Sequence, residues 1–107
     1  MSLDAEGYLT IDPETPQMLR MFLEDLGCSL SACDKVLDAI ADVRSGRRLE
    51  YRTTTDFVHL LVTKHSASFT IAAKLTRIEP VPFTVDEVED GVRRLRDFTE
   101  SLPEDQR

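Results

Sequence analysis

Residues 49–75 read LEYRTTTDFVHLLVTKHSASFTIAAKL, and this stretch decides the fold class. Leu49, Tyr51 and Thr53 alternate with Glu50 and Arg52, the period of a half-buried strand. Thr54-Thr55-Asp56 reads as a turn. Phe57 to Thr63 carries apolar residues at both parities, as a central strand does, and Lys64-His65-Ser66 is a tight polar connection. Ala67 to Leu75 supplies a third strand in which Phe69, Ile71 and Ala73 alternate. Three consecutive strands joined by short turns form an antiparallel meander.

The flanks read as helices. Downstream, Arg77 to Pro82 is a stiff connector whose two prolines oppose further helix or strand. Thr84 and Glu87 then have capping-box spacing, and Val85, Val88, Val92, Leu95 and Phe98 make an apolar stripe. Arg93, Arg94 and Arg96 fall late in that helix, where cations suit its negative end. Upstream, Ser31 to Asp34 resembles a capping box for a helix with Cys33, Val36, Leu37, Ile40 and Val43 on its buried side, ending at Ser45-Gly46. Before it, Thr15 caps and Pro16 opens a helix carrying Leu19, Phe22, Leu23 and Leu26, which Gly27 stops. Gly7 to Ile11 is a short strand that either joins an edge of the sheet or stands as an N-terminal arm.

The order is strand, helix, helix, three strands, helix. It implies one α+β domain over residues 1–107: a three- or four-stranded, mainly antiparallel sheet with helices packed on one face, and a flexible tail at 103–107. The expected core is Leu19, Phe22, Leu23, Leu26, Val36, Leu37, Ile40, Phe57, Leu61, Phe69, Ile71, Val88, Val92, Leu95 and Phe98.

Charge narrows the function classes. The formal net charge is −7, from 20 acidic and 13 basic side chains. Residues 1–45 hold nine acids against three bases, and residues 79–107 nine against four, while residues 46–78 hold six bases against two acids. A net negative chain repels phosphate backbones, so nucleic acid is disfavoured as a partner and a basic protein favoured. No apolar run approaches the roughly 20 residues of a membrane span, and the acidic start lacks the features of a signal peptide. The expected location is the cytoplasm.

Chemical motifs are sparse. Cys28 and Cys33 are five apart with no Cys or His cluster to complete a metal site, so free thiols are expected. His59 and His65 match no compact metal motif. A hydrolase would pair one of them with Ser66, Ser68 or Cys33, and nothing in the spacing orients such a base. No catalytic residue, cofactor or metal is assigned. Asp34, Asp38 and Asp42 recur every four residues and form a negative stripe on the second helix, extended by Glu24 and Asp25. These five acids are the expected protein-binding residues. Arg47, Arg48 and Arg52 with Tyr51 form the one patch suited to RNA, but strand alternation puts Arg48 and Arg52 on the face opposite Tyr51.

In element order and acidity the chain resembles the small immunity proteins of bacterial contact-dependent growth-inhibition systems. The likeness covers residues 7–101: the first strand, the acidic helical segment 15–45, the strands Arg48 to Thr54 and Phe57 to Thr63, and the helix entry Phe83-Thr84-Val85-Asp86-Glu87. It departs from such proteins in having no Trp. The resemblance implies a non-catalytic module that neutralises a basic toxin by occlusion, and it assigns no binding residue. The alternatives are a small hydrolase, a nucleic-acid-binding protein, or a homodimeric structural domain paired through an edge strand.

Overall fold

A computed structural model describes residues 1–72 and 79–107 of the chain. Ser2–Leu3 (β1) and Leu9–Thr10 (β2) close a small antiparallel hairpin. The Asp4 carboxylate holds its turn, accepting from the backbone N–H groups of Glu6 and Tyr8 at 2.9 Å each. The first expected strand thus pairs with residues before it and joins neither edge of the main sheet.

Helix α1 (Gln17–Leu26) begins after Pro16, and no side chain caps it. The Thr15 hydroxyl lies one residue too early to reach the first free N–H groups. The Thr15 N–H instead bonds to the Asp12 carbonyl at 3.0 Å. Gly27 ends the helix at φ +63°, a conformation open to glycine, and its N–H reaches the Leu23 carbonyl at 3.1 Å. Helix α2 (Leu30–Arg44) is capped by Ser29, not by Ser31 as the spacing suggested. The chain is extended at Ser29, and its Oγ accepts from the Ala32 N–H at 3.2 Å, whereas Ser31 already lies within the helix.

The meander follows as Glu50–Thr54 (β3), Val58–Thr63 (β4) and Ala67–Ile71 (β5). A fourth strand, Val81–Phe83 (β6), completes a sheet of order β3-β4-β5-β6, antiparallel throughout. This strand corrects the expectation that the two prolines discourage one here. Pro82 is accommodated because β6 is an edge: the bonds Thr63 N–H to Ser66 O and Ala72 N–H to Phe57 O turn the even-numbered residues of β5 toward β4. Pro82 lies opposite Ser68, so its nitrogen points away from the ladder. The expected extension of the third strand through Ala73, Lys74 and Leu75, and the connector's start at Arg77-Ile78, lie outside the described residues.

Helix α3 (Val85–Ser101) carries the full capping box: Thr84 Oγ1 accepts from the Glu87 N–H at 3.0 Å, and Glu87 Oε1 accepts from the Thr84 N–H at 2.9 Å. Arg93, Arg94 and Arg96 fall before its last turn, which holds no base. Glu104–Gln106 forms a single 3₁₀ turn, and the Arg107 guanidinium donates to the carbonyls of Leu102 and Glu100.

α1 packs on β4 and β5, α2 on β3 and β4, and α3 on α1 and α2. Between them lie the fully buried Phe22, Ile40, Val58, Val62, Phe69, Val88, Val92 and Leu95. The Phe22 ring meets Phe69 at 5.3 Å between centroids, and Phe83 meets Phe69 edge-on at 5.1 Å. Three expected core residues are corrected. The inward face of β4 is Val58, Leu60 and Val62, so Leu61 falls on the opposite face and Phe57, before the strand, is 59% exposed. Ile71, at the end of β5, is exposed as well. Leu26 and Leu37 pack only half-buried at the core's margin, Phe98 is half-buried, and Leu49 precedes β3 and is 94% exposed. Cys33 and Val43, on the expected buried side of α2, and Tyr51 of β3 are buried, and Met18, Ala39 and Ala67 join them in the core.

Candidate functional site

A groove of about 560 Å³ opens between the segment after β2, helix α1 and helix α3. Ile11, Leu19, Leu23 and Phe98 give it an apolar lining. Asp12 and Glu14 come from one bank, Glu87 and Asp90 from the other, with Arg94 the lone basic side chain. The floor is set by Gly91, where α3 crosses α1: a Cβ there would sit 3.4 Å from Leu19 Cδ1 and Cδ2 and from Leu23 Cδ1. The banks are positioned by local chemistry. Pro13 and Pro16 stiffen the segment, the Arg20 guanidinium donates to the Pro13 carbonyl at 3.3 Å, and Glu87 is held by the α3 capping box. Asp90 and Arg94 stand one helical turn apart at 3.8 Å. Glu14 has no ion-pair or hydrogen-bond partner among the described residues. The arrangement suits a ligand that is cationic at its edges and apolar in its middle.

Of the five acids singled out in the sequence, none lines this groove. Asp25 Oδ2 accepts from Thr55 Oγ1 at 2.6 Å and from the Phe57 N–H at 3.1 Å, clasping the end of α1 to the β3–β4 turn. Asp34 receives Arg96 of α3 at 2.5 Å, and Asp42 lies 3.1 Å from Arg47. Asp38 and Glu24 are exposed and have no such partner among the described residues. The stripe is therefore partly consumed within the molecule.

The residues weighed for other chemistries do not converge. His59 Nδ1 lies 2.6 Å from Thr54 Oγ1 on the sheet face away from the helices, and His65 is exposed in the β4–β5 turn. Ser66 Oγ sits 2.7 Å from Thr63 Oγ1, closing that turn. Cys33 is fully buried, and burial, seconded by the neighbouring Asp34 carboxylate, pushes its thiol up from 9.0 to about 11. Both cysteines are free. Among the described residues, no three His, Cys, Asp or Glu side chains gather where a metal could be held.

The basic patch is also divided. Arg47 turns to Asp42, Arg52 lies 2.9 Å from Glu50, and Arg93, Arg94 and Arg96 all pair with acids of α2 or α3. Arg48 stands 5.3 Å over the Tyr51 ring, a contact that strict strand alternation opposes. It forms because Arg48 precedes the strand and is not bound by its period. Among the described residues, no helix is long and apolar enough to cross a membrane.

The groove was illegible in the sequence because its banks lie some 75 positions apart, with no spacing to link them. The one available signal was Gly91, a helix-weakening residue inside an otherwise strong α3 pattern. No protein-family model, no curated protein and no solved structure matches this chain.

Proposed function

We propose that the chain is a non-catalytic protein-binding module that takes a basic, apolar-anchored segment of a partner protein into the groove between α1 and α3. The observation that carries this reading is four carboxylates, Asp12, Glu14, Glu87 and Asp90, standing over an apolar floor against two cations, the Arg94 guanidinium and the Met1 ammonium that lies 3.2 Å from Asp12. The floor supplies burial at roughly 25 cal/mol per Å² of apolar area, and the carboxylates steer the approach and fix orientation. Asp38 and Glu24 stay available to a basic partner as well. Where the bound segment belongs to a toxin's active site, occupancy neutralises it by occlusion, the form of this reading that the resemblance to immunity proteins implies. The cytoplasm suits a chain with two free thiols.

The test is selection from a displayed peptide library on the folded protein. The expected outcome is enrichment of Lys/Arg-rich sequences with a Leu or Phe anchor. Their binding should be lost in the double variant Glu14→Lys/Asp90→Lys, which leaves the capping residue Glu87 in place. Enrichment indifferent to charge, or binding unchanged in that variant, would remove the groove from the reading.

A further inference from the structure

The two edges of the main sheet differ. β6 is three residues long and carries Pro82, whereas β3 offers five residues, Glu50–Thr54, without proline. The bond from Thr55 N–H to the Val58 carbonyl fixes the phase of the β3–β4 ladder. Residues opposite each other at that phase, Thr53 with Leu60 and Tyr51 with Val62, exchange hydrogen bonds. Glu50, Arg52 and Thr54 therefore aim their backbone N–H and C=O groups outward, and none of these meets a backbone or side-chain partner among the described residues. Beside this edge, Leu49 is 94% exposed.

We propose that this edge pairs with the β3 edge of a second copy, antiparallel about a two-fold axis at Tyr51, to give a continuous eight-stranded sheet. The charge pattern selects the register. Centred on Tyr51, the pairing sets Glu50 of each copy opposite Arg52 of the other, so the outward backbone groups bond in two symmetric pairs. The Glu50–Arg52 ion pair already present within one chain, at 2.9 Å, becomes half of an alternating quartet of charges on the open face. The two Tyr51 residues stand opposite each other at the close, non-hydrogen-bonded position, and the exposed Leu49 is set opposite Thr53 of the other copy. Moving the axis to Arg52 sets Arg52 against itself, and moving it to Thr53 sets Glu50 against Asp56. Both put like charges opposite each other, which destabilises the pairing. A second copy fits this edge because the edge is complementary to itself.

Sedimentation equilibrium across the micromolar range tests this, with circular dichroism confirming that each variant is folded. The wild type is expected to form a dimer. Glu50→Arg, which makes the quartet all positive, should weaken it by roughly tenfold to a hundredfold. The exchanged variant Glu50→Arg/Arg52→Glu should restore it, because each arginine again faces a glutamate. Arg52→Pro removes an outward N–H without touching the bonds to β4 and should also abolish the dimer. A wild type that stays monomeric overturns the proposal. So does a dimer indifferent to Glu50→Arg and Arg52→Pro, or one that the exchanged variant fails to restore.

Discussion

Asp25 Oδ2 accepts the Thr55 hydroxyl at 2.6 Å and, with the same atom, the Phe57 N–H at 3.1 Å. One carboxylate on the last turn of α1 thereby fixes the turn that sets the phase of β4. Removing it leaves a part-buried hydroxyl and an amide without their acceptor. Asp25→Ala is expected to cost about 1.5–3 kcal/mol, the range for hydrogen bonds to a charged group. Urea unfolding of Asp25→Ala, Thr55→Val and the double variant measures it. The two single losses should sum to more than the double, because both remove the same contact.

This clasp also explains why the strand faces were hard to read. Phe57 to Val62 is apolar at both parities, so periodicity alone leaves Phe57 and Leu61 as good candidates for the core as Val58 and Leu60. The decision is made elsewhere, by Asp25 holding the Phe57 N–H and by Leu60 pairing with Phe69 in β5. Where one face was clearly apolar, as in α3 at its three- and four-residue spacings, the sequence was enough: Thr84, Glu87, Val88, Val92 and Leu95 all stand where the pattern put them. The acids at 25, 34 and 42 looked like one exposed surface because sequence shows charge but not the long-range donors. Thr55, Arg96 and Arg47 answer them from other elements or from beyond the helix end.

The caps of α2 distinguish the observed start from the one suggested by spacing. Ser29→Ala removes the acceptor of the Ala32 N–H and should cost about 1 kcal/mol. Ser31→Ala, already inside the helix, should fall within about 0.5 kcal/mol of the wild type. Chemical denaturation of the two variants side by side reads the difference, and a larger loss at Ser31 would place the cap there.

The α2 acids separate by partner in the same way. Asp34→Ala leaves Arg96 with only Glu100 and should lower Tm, with the loss shrinking as salt is added. Asp38→Ala, exposed and without a partner among the described residues, should leave Tm unchanged. Thermal melts at low and high ionic strength test both.

Stability should also depend on the state of Cys33. Its thiol is raised from 9.0 to about 11 in the folded chain, so the unfolded chain ionises first as pH rises. The contribution is fully present below about 9 and is lost progressively toward about 11. Denaturant unfolding through this window should show a decline that is shallower in Cys33→Ala. In thiol labelling at neutral pH, half-buried Cys28 should react in the native state and Cys33 only on unfolding.

Gly91 links stability to the groove. It lies in the middle of α3 without a positive φ, so alanine meets no backbone strain there and gains helix propensity of about 1 kcal/mol. Against this, the new Cβ comes within 3.4 Å of three methyl groups, which belong to Leu19 and Leu23 on the groove floor. Those are flexible side-chain ends beside open space, so they can shift at small cost. Gly91→Ala is therefore expected to be stabilising by roughly 0.5 kcal/mol, the propensity gain less the repacking. Gly91→Leu extends further, into the space between α1 and α3. It should fold while losing the basic, apolar-anchored peptides selected on the wild type. Paired unfolding and peptide-binding measurements on both variants decide the point. A destabilised Gly91→Ala would mean that α3 and α1 have no room to give. A Gly91→Leu that still binds those peptides would place their anchor outside the groove.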